Sequence, residues 1–209
     1  MPSDLPTGEA LQAVLFDMDG TLVDTEPLWW QATASVARTL GFELGPADTP
    51  HVLGHTVEDT AAHLLSARPP SRPAESTTDL IRLLTESFAR RVERSARVMP
   101  GAPDLLHQLS AARLPTALVS ASPRSIVDLV LPRLGHRFDH VVAAEDTARG
   151  KPYPDPYLEA ARRLGADPGR CVAVEDSPTG ITAATAAGCR VLAVTPEDGL
   201  PSLRQIRER

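Results

Sequence analysis

Two pairs of acids stand at the ends of apolar runs. Val14-Leu15-Phe16 leads into Asp17-Met18-Asp19-Gly20-Thr21, and Cys171-Val172-Ala173-Val174 leads into Glu175-Asp176-Ser177-Pro178. Carboxylates that emerge together from a buried segment repel one another, and burial sharpens the repulsion, unless a cation or a shared proton intervenes. A hard divalent cation such as Mg²⁺ answers that need, because it prefers oxygen ligands, keeps waters and takes substrate phosphate as a further ligand. A third run, Ala117-Leu118-Val119, ends in Ser120-Ala121-Ser122 just before Pro123, where a hydroxyl and the free amides of a starting helix can seat an anion. Gly150-Lys151-Pro152 adds the only lysine of the sequence. A serine before a helix can equally be a plain cap, and an isolated lysine a surface residue. It is the set of acids, hydroxyl and ammonium that forms an inventory for phosphoryl transfer.

Such a set works only if the chain brings it to one place. Five apolar runs read as buried strands: Ala13 to Phe16, Thr116 to Val119, His140 to Ala143, Cys171 to Val174 and Arg190 to Val194. Their continuous rather than alternating hydrophobicity predicts parallel strands covered on both faces. Ser122-Pro123, Asp155-Pro156 and Ser177-Pro178 read as helix starts, and Gly165 and Gly188 as left-handed helix ends. Strand, loop and helix therefore alternate, which predicts an α/β fold with a doubly wound parallel sheet. In such sheets ligands bind at the carboxyl ends of the strands. The alternation breaks between about Pro27 and Arg97. Three helical stripes fill that stretch: Trp29, Thr33, Val36 and Leu40; then Val57, Ala61, Leu64 and Leu65; then Leu80, Leu84, Phe88 and Val92. The expected organisation is a core of residues 1–25 and 98–209 with an inserted α-helical cap domain of residues 26–97. Its hinges would lie near Asp24 to Pro27 and Val98 to Pro103, with a loop at Pro69, Pro70 and Pro73. Only residues 195–209 follow the last run, so the sheet is expected to end there.

The ordered set Asp17-Met18-Asp19-Gly20-Thr21, Ser120, Lys151-Pro152 and Glu175-Asp176 resembles the four motifs of the haloacid dehalogenase superfamily, across almost the whole chain. The place of the helical insertion is similar to that of members with an α-helical cap, the subgroup of sugar phosphatases and β-phosphoglucomutase. The resemblance implies that Asp17 attacks phosphorus and becomes an aspartyl phosphate. Asp19 would give a proton to the leaving alcohol and later take one from water. Mg²⁺ would be held by the Asp17 carboxylate, the backbone carbonyl of Asp19 and Asp176, with Glu175 in support. Ser120, Ala121 and Lys151 would hold phosphate oxygens, and the cap would exclude water. Thr21 and the amide of Met18 would bind phosphate or orient Asp19. Leu53-Gly54-His55-Thr56 resembles the loop that such caps lower onto the leaving group, although a plain glycine turn explains it as well. His51, His55 and His63 lack the spacing and companions of a zinc site.

The implied function is Mg²⁺-dependent hydrolysis of small phosphate monoesters, sugar or hexitol phosphates. Dehalogenation is disfavoured because dehalogenases lack the second aspartate and need no magnesium, and phosphonate hydrolysis because the cap has no lysine. A β-phosphoglucomutase-like activity is the nearer alternative. It is weakened by Pro123-Arg124 in place of a Lys-Asn pair, by Val57 in place of a cap arginine and by Trp29 in place of a hinge histidine. Glu26-Pro27-Leu28-Trp29 and Ser120-Ala121-Ser122-Pro123 instead look like hexitol and 2-deoxyglucose phosphatases. A receiver-like phospho-acceptor switch is an alternative of another class, disfavoured because a receiver needs no lid.

Composition bounds the partners. With 42% hydrophobic and 23% charged residues and a net charge of −6, the 209-residue chain has the balance of a globular protein without the cationic face that nucleic acid requires. No 18-residue apolar run suits a membrane span, and Met1 to Ala10 lacks the basic and apolar regions of a signal peptide. The expectation is a cytoplasmic monomer whose partner is a small phosphorylated metabolite. Cys171 and Cys189 adjoin valine-rich runs and read as buried, reduced thiols.

Overall fold

The computed structural model describes residues 10–70, 76–195 and 197–209. Five parallel strands form the central sheet: β1 (Ala13–Phe16), β4 (Thr116–Val119), β5 (His140–Val142), β6 (Cys171–Glu175) and β7 (Arg190–Ala193). Their order is β5-β4-β1-β6-β7. The chain winds outward from β1 on one side, then returns to wind outward on the other. The crevice at that reversal, beyond the ends of β1 and β6, is where this topology leaves room for a ligand. Phe16 pairs in register with Leu118 and with Val174, so Asp17 and the Glu175-Asp176 pair leave neighbouring strands side by side.

Alternating side chains divide the strands between two apolar layers, which is why the runs carry no polar face. Val14, Phe16, Leu118 and Val172 pack against α5 (Ala102–Ala111), α6 (Arg124–Leu134) and α9 (Leu203–Glu208). Ala13, Leu15, Ala117 and Ala173 pack against α7 (Asp155–Leu164) and α8 (Pro178–Ala186). The second layer is dominated by alanine, so those two helices lie close on the sheet. Cys171 and Cys189 are buried there, and loss of hydration pushes their thiols up to about 11 and about 12, as inert thiols in apolar surroundings require.

Between β2 (Val23–Asp24) and β3 (Arg97–Val98) the chain forms α1 (Glu26–Thr39), α2 (Thr49–Val52), α3 (Val57–Ala67) and α4 (Thr77–Ser95). Most residues of the expected stripes are buried, while Trp29, Val57 and Leu65 are half-buried. Val36, Leu40, Ala61, Leu64, Leu80 and Leu84 form a cluster of their own, whereas Leu28, Ala32, Phe88 and Val92 join the core cluster. The two short strands pair antiparallel, Val23 with Val98 and Asp24 with Arg97, and close the insertion at its base. Two-residue strands are too short to leave a pattern in the sequence. Pro73 lies outside the described residues.

Two local expectations need correction. Of the proposed helix starts, only Ser177 caps as expected, accepting from the amide of Gly180 at 3.0 Å. Asp155 lies inside α7 and pairs with Arg149, and Ser122 turns away from α6 toward the site described below. Pro132 lies within α6, which runs on to Leu134 and stops at left-handed Gly135. No helix among the described residues is long and apolar enough to cross a membrane.

His136 gives the fold a pH dependence. Its ring nitrogens meet the hydroxyls of Ser110 at 3.1 Å and Thr116 at 2.9 Å, and its edge faces Phe138. Burial holds its pKa below the ordinary histidine value, with Asp139 opposing in part. The unfolded chain, titrating near pH 6.5, therefore takes up this proton before the folded one, and stability falls as pH drops below that point. In urea titrations the loss of stability between about pH 7 and about pH 5 should be smaller in His136→Gln than in the parent. An equal loss would reject the assignment.

Candidate active site

At the crevice the end of β1 turns sharply. The amides of Leu22 and Val23 both donate to the Met18 carbonyl, and Gly20 adopts φ +86°. A side chain at Gly20 would be strained and would overlap the Asp176 carboxylate, so glycine is required on both counts. Gly180 plays the same spatial part on α8, where a Cβ would overlap Glu175.

The acids meet as the spacing predicts. Carboxylate oxygens of Asp17, Glu175 and Asp176 lie within 4.8 Å of one another. Asp17 is only 5% exposed and Glu175 is fully buried. Lys151 bridges them, its ammonium 2.5 Å from Asp17 Oδ1 and 2.5 Å from Glu175 Oε1. Tyr157 donates to the same Glu175 oxygen at 2.7 Å, and the ammonium lies 5.2 Å from the centre of its ring. The other Glu175 oxygen accepts from the amides of Asp176 and Ser177 and from the Ser177 hydroxyl. Glu175 is thus fully engaged in holding Lys151 and the loop after β6. Asp17 Oδ2 is buried and, among the described residues, accepts no hydrogen bond.

These surroundings set the ionisation. Burial raises the Asp17 carboxyl well above the ordinary carboxylate range; Lys151 opposes this, and Glu175, Asp176 and Asp19 add to it. Asp176 is pushed up to about 6, chiefly by burial, although Thr21 donates to its Oδ1 at 2.8 Å. Burial disfavours the Lys151 ammonium, but Asp17 and Glu175 outweigh that effect and keep it charged. Fully ionised, three carboxylates facing one ammonium would carry an excess of two negative charges, which suits a divalent cation, and Asp17 keeps one oxygen unpartnered at the cleft.

Asp19 stands apart from this cluster and is held by hydroxyls. Thr25 donates to Oδ1 at 2.8 Å, and Ser120 and Ser122 donate to Oδ2 at 3.1 and 2.9 Å. Thr21 therefore does not orient Asp19; it holds Asp176. Met18 is buried in the core, and Met18, Thr21, Ser120 and Glu175 lie beneath the surface of the cleft. Asp17, Asp19, Ala121, Lys151 and Asp176 line it, as do Gly54, His55 and Thr56 from the insertion, with Gly54 at φ +74°. His51 and His63 stack on each other at 4.6 Å, and His63 pairs with Asp48.

Sequence reasoning missed four residues. Ser122 was legible only as a helix start, and Thr25 carried no signal. Tyr157 reads as one more apolar position of amphipathic α7. Phe88 reads as core, yet it lines the cleft together with Trp29.

The Tyr157 side chain is fully buried, with its hydroxyl on the fully buried Glu175. Replacing it in Tyr157→Phe removes a donor to a buried carboxylate and should lower unfolding free energy by about 1.5–3 kcal/mol in urea titrations. A change below about 0.5 kcal/mol would show that the bond contributes nothing.

Comparison with known proteins agrees with this geometry. The profile of haloacid dehalogenase-like hydrolases matches residues 11–188. Hexitol phosphatase B of Escherichia coli (strain K12) is 34% identical over 193 residues, covering 91% of this chain and 86% of that protein. Validoxylamine A 7'-phosphate phosphatase of Streptomyces hygroscopicus subsp. limoneus is 32% identical over 203 residues, covering 88% of this chain and 85% of its own. The crystal structure of CbbY from Rhodobacter sphaeroides in complex with phosphate matches with a TM-score of 0.78 at 30% identity, over 89% of this chain and 88% of that one. With the motifs in register, the acids assembled and the match spanning both core and insertion, the chain belongs to the haloacid dehalogenase-like hydrolases.

Proposed function

We propose that this chain is a Mg²⁺-dependent phosphatase that hydrolyses small phosphate monoesters of the sugar or hexitol type, with Asp17 as the nucleophile. The observation that carries the proposal is the state of the Asp17 carboxylate. One oxygen is fixed by Lys151, and the other is buried without a partner at the floor of a cleft. The relatedness to hexitol phosphatase B and to validoxylamine A 7'-phosphate phosphatase supports the substrate class.

Asp17, Asp176 and the backbone carbonyl of Asp19 would hold the Mg²⁺ ion, with Glu175 supporting them. When bound, the ion supplies charge neutralisation for the phosphate oxygens. The chain's own residues do the rest. A free oxygen of Asp17 forms a bond to phosphorus as the bond from phosphorus to the leaving alcohol breaks. Asp19, protonated, gives its proton to that alkoxide. Water then attacks the phosphorus of the aspartyl phosphate, Asp19 takes the proton from that water, and the Asp17 carboxylate is released with inorganic phosphate. Asp19 must alternate between donor and acceptor, and hydroxyl partners suit that role because each can reverse its hydrogen bond. Lys151 offsets charge on the transferring group. Helices α1–α4 of the proposed cap, residues 26–97, place Gly54, His55 and Thr56 over the leaving group and limit access of bulk water.

Phosphate release from para-nitrophenyl phosphate tests the proposal. Turnover should require Mg²⁺, stop on chelation and return on readdition. Asp17→Asn should lower kcat by at least about a thousandfold without loss of folding by circular dichroism. Activity persisting in Asp17→Asn, or unaffected by chelation, would reject the mechanism. Ser122→Ala removes one of three donors to Asp19 and should lower kcat by about three- to tenfold, far less than loss of Asp17.

A further inference from the structure

The rest of the cleft lining has a charge and surface of its own. Among the described residues that line the cleft, the only lysine or arginine is Lys151, which is already committed to Asp17 and Glu175. His55 is the one other group that could gain a positive charge, and it lies 3.9 Å from Asp59. The rim instead carries two further acids, Glu26 at the start of α1 and Asp59 in the first turn of α3. A leaving group bearing a second phosphate or a carboxylate would therefore approach two acids with no cation to receive it. Juxtaposed like charges of that kind are a strong device for rejecting a ligand.

The same lining includes the apolar side chains of Trp29, Val57 and Phe88. Trp29 is fixed before any ligand arrives. Its indole N–H donates to the Val52 carbonyl at 2.9 Å, and its ring meets Phe88 edge to face with centroids 5.2 Å apart. With the N–H spent, the indole offers only its apolar surface, to which the C–H face of a polyol is complementary. The cavity measures about 210 Å³, smaller than the roughly 300–1,000 Å³ typical for drug-sized ligands.

We infer that the cleft selects phosphate monoesters of small uncharged polyols, with Trp29 as a rigid shelf for the alcohol and Glu26 and Asp59 excluding alcohols that carry a second anion. The inference rests on the phosphatase reading above and adds to it the charge and surface of the leaving group.

The test compares kcat/KM for glucitol 6-phosphate and glucose 6-phosphate with that for fructose 1,6-bisphosphate and 2-phosphoglycolate. Acetyl phosphate, whose small leaving group cannot reach the shelf, is the internal reference. The uncharged alcohols should be preferred by about 100-fold or more. In Glu26→Gln/Asp59→Asn the preference over the bisphosphate should shrink by at least about tenfold. In Trp29→Leu the ratio of kcat/KM for glucitol 6-phosphate to that for acetyl phosphate should fall about tenfold, mostly through KM, and Trp29→Phe should restore most of it. Acetyl phosphate turnover with bisphosphate and glucitol 6-phosphate within threefold of each other would overturn the inference and leave the phosphatase reading standing. Unchanged ratios in both variants would do the same. No turnover of any of these esters would overturn both.

Discussion

A single ammonium holds the site together. Lys151 lies 2.5 Å from a carboxylate at the end of β1 and 2.5 Å from another at the end of β6, all three side chains almost wholly buried. A buried carboxylate or ammonium without its partner would be costly, so the three groups depend on one another. The sheet must therefore bring β1 and β6 side by side, and the loop after β5 must return Lys151 beneath both. The topology β5-β4-β1-β6-β7 does this by placing the reversal of winding where the acids emerge. Tyr157 and the amides after β6 complete the shell on the Glu175 side. Asp17, by contrast, keeps one oxygen unpartnered. Hydrogen bonds thus saturate Glu175 and leave Asp17, the proposed nucleophile, incomplete.

The second aspartate is treated differently, although it is only two residues away. Asp19 is partly exposed and sits among the hydroxyls of Thr25, Ser120 and Ser122, outside the carboxylate cluster. A buried carboxylate facing a cation and a cleft-lining carboxylate facing reversible donors are suited to different tasks, one to forming a bond and the other to moving protons. Environment separates their roles, since the residue type is the same.

Much of this was legible in the sequence because it rests on short-range rules. Buried parallel strands carry continuous apolar runs, and acids at their ends are conspicuous against that background, so the sheet, Asp17, Asp19, Glu175, Asp176 and Lys151 could be read directly. The three stripes of the insertion were equally plain. What could not be read depends on where side chains turn. Ser122 looks like a helix cap until its hydroxyl is seen to face Asp19 across about a hundred residues of chain. Tyr157 looks like core packing until its one polar atom is found on Glu175. Thr21 follows the motif but serves Asp176 in place of Asp19. Trp29 and Phe88 belong to apolar stripes, and only the meeting of α1 and α4 over the crevice gives them an exposed face.

Three carboxylates against one ammonium form a site whose charge a divalent cation would balance, and calorimetric titration with Mg²⁺ measures that balance most directly. The account predicts one ion bound per chain, with binding lost in Asp17→Asn and in Asp176→Asn and kept in Glu26→Gln. Mg²⁺ binding that survives both Asn substitutions, or no binding at millimolar Mg²⁺ in the parent, would contradict it.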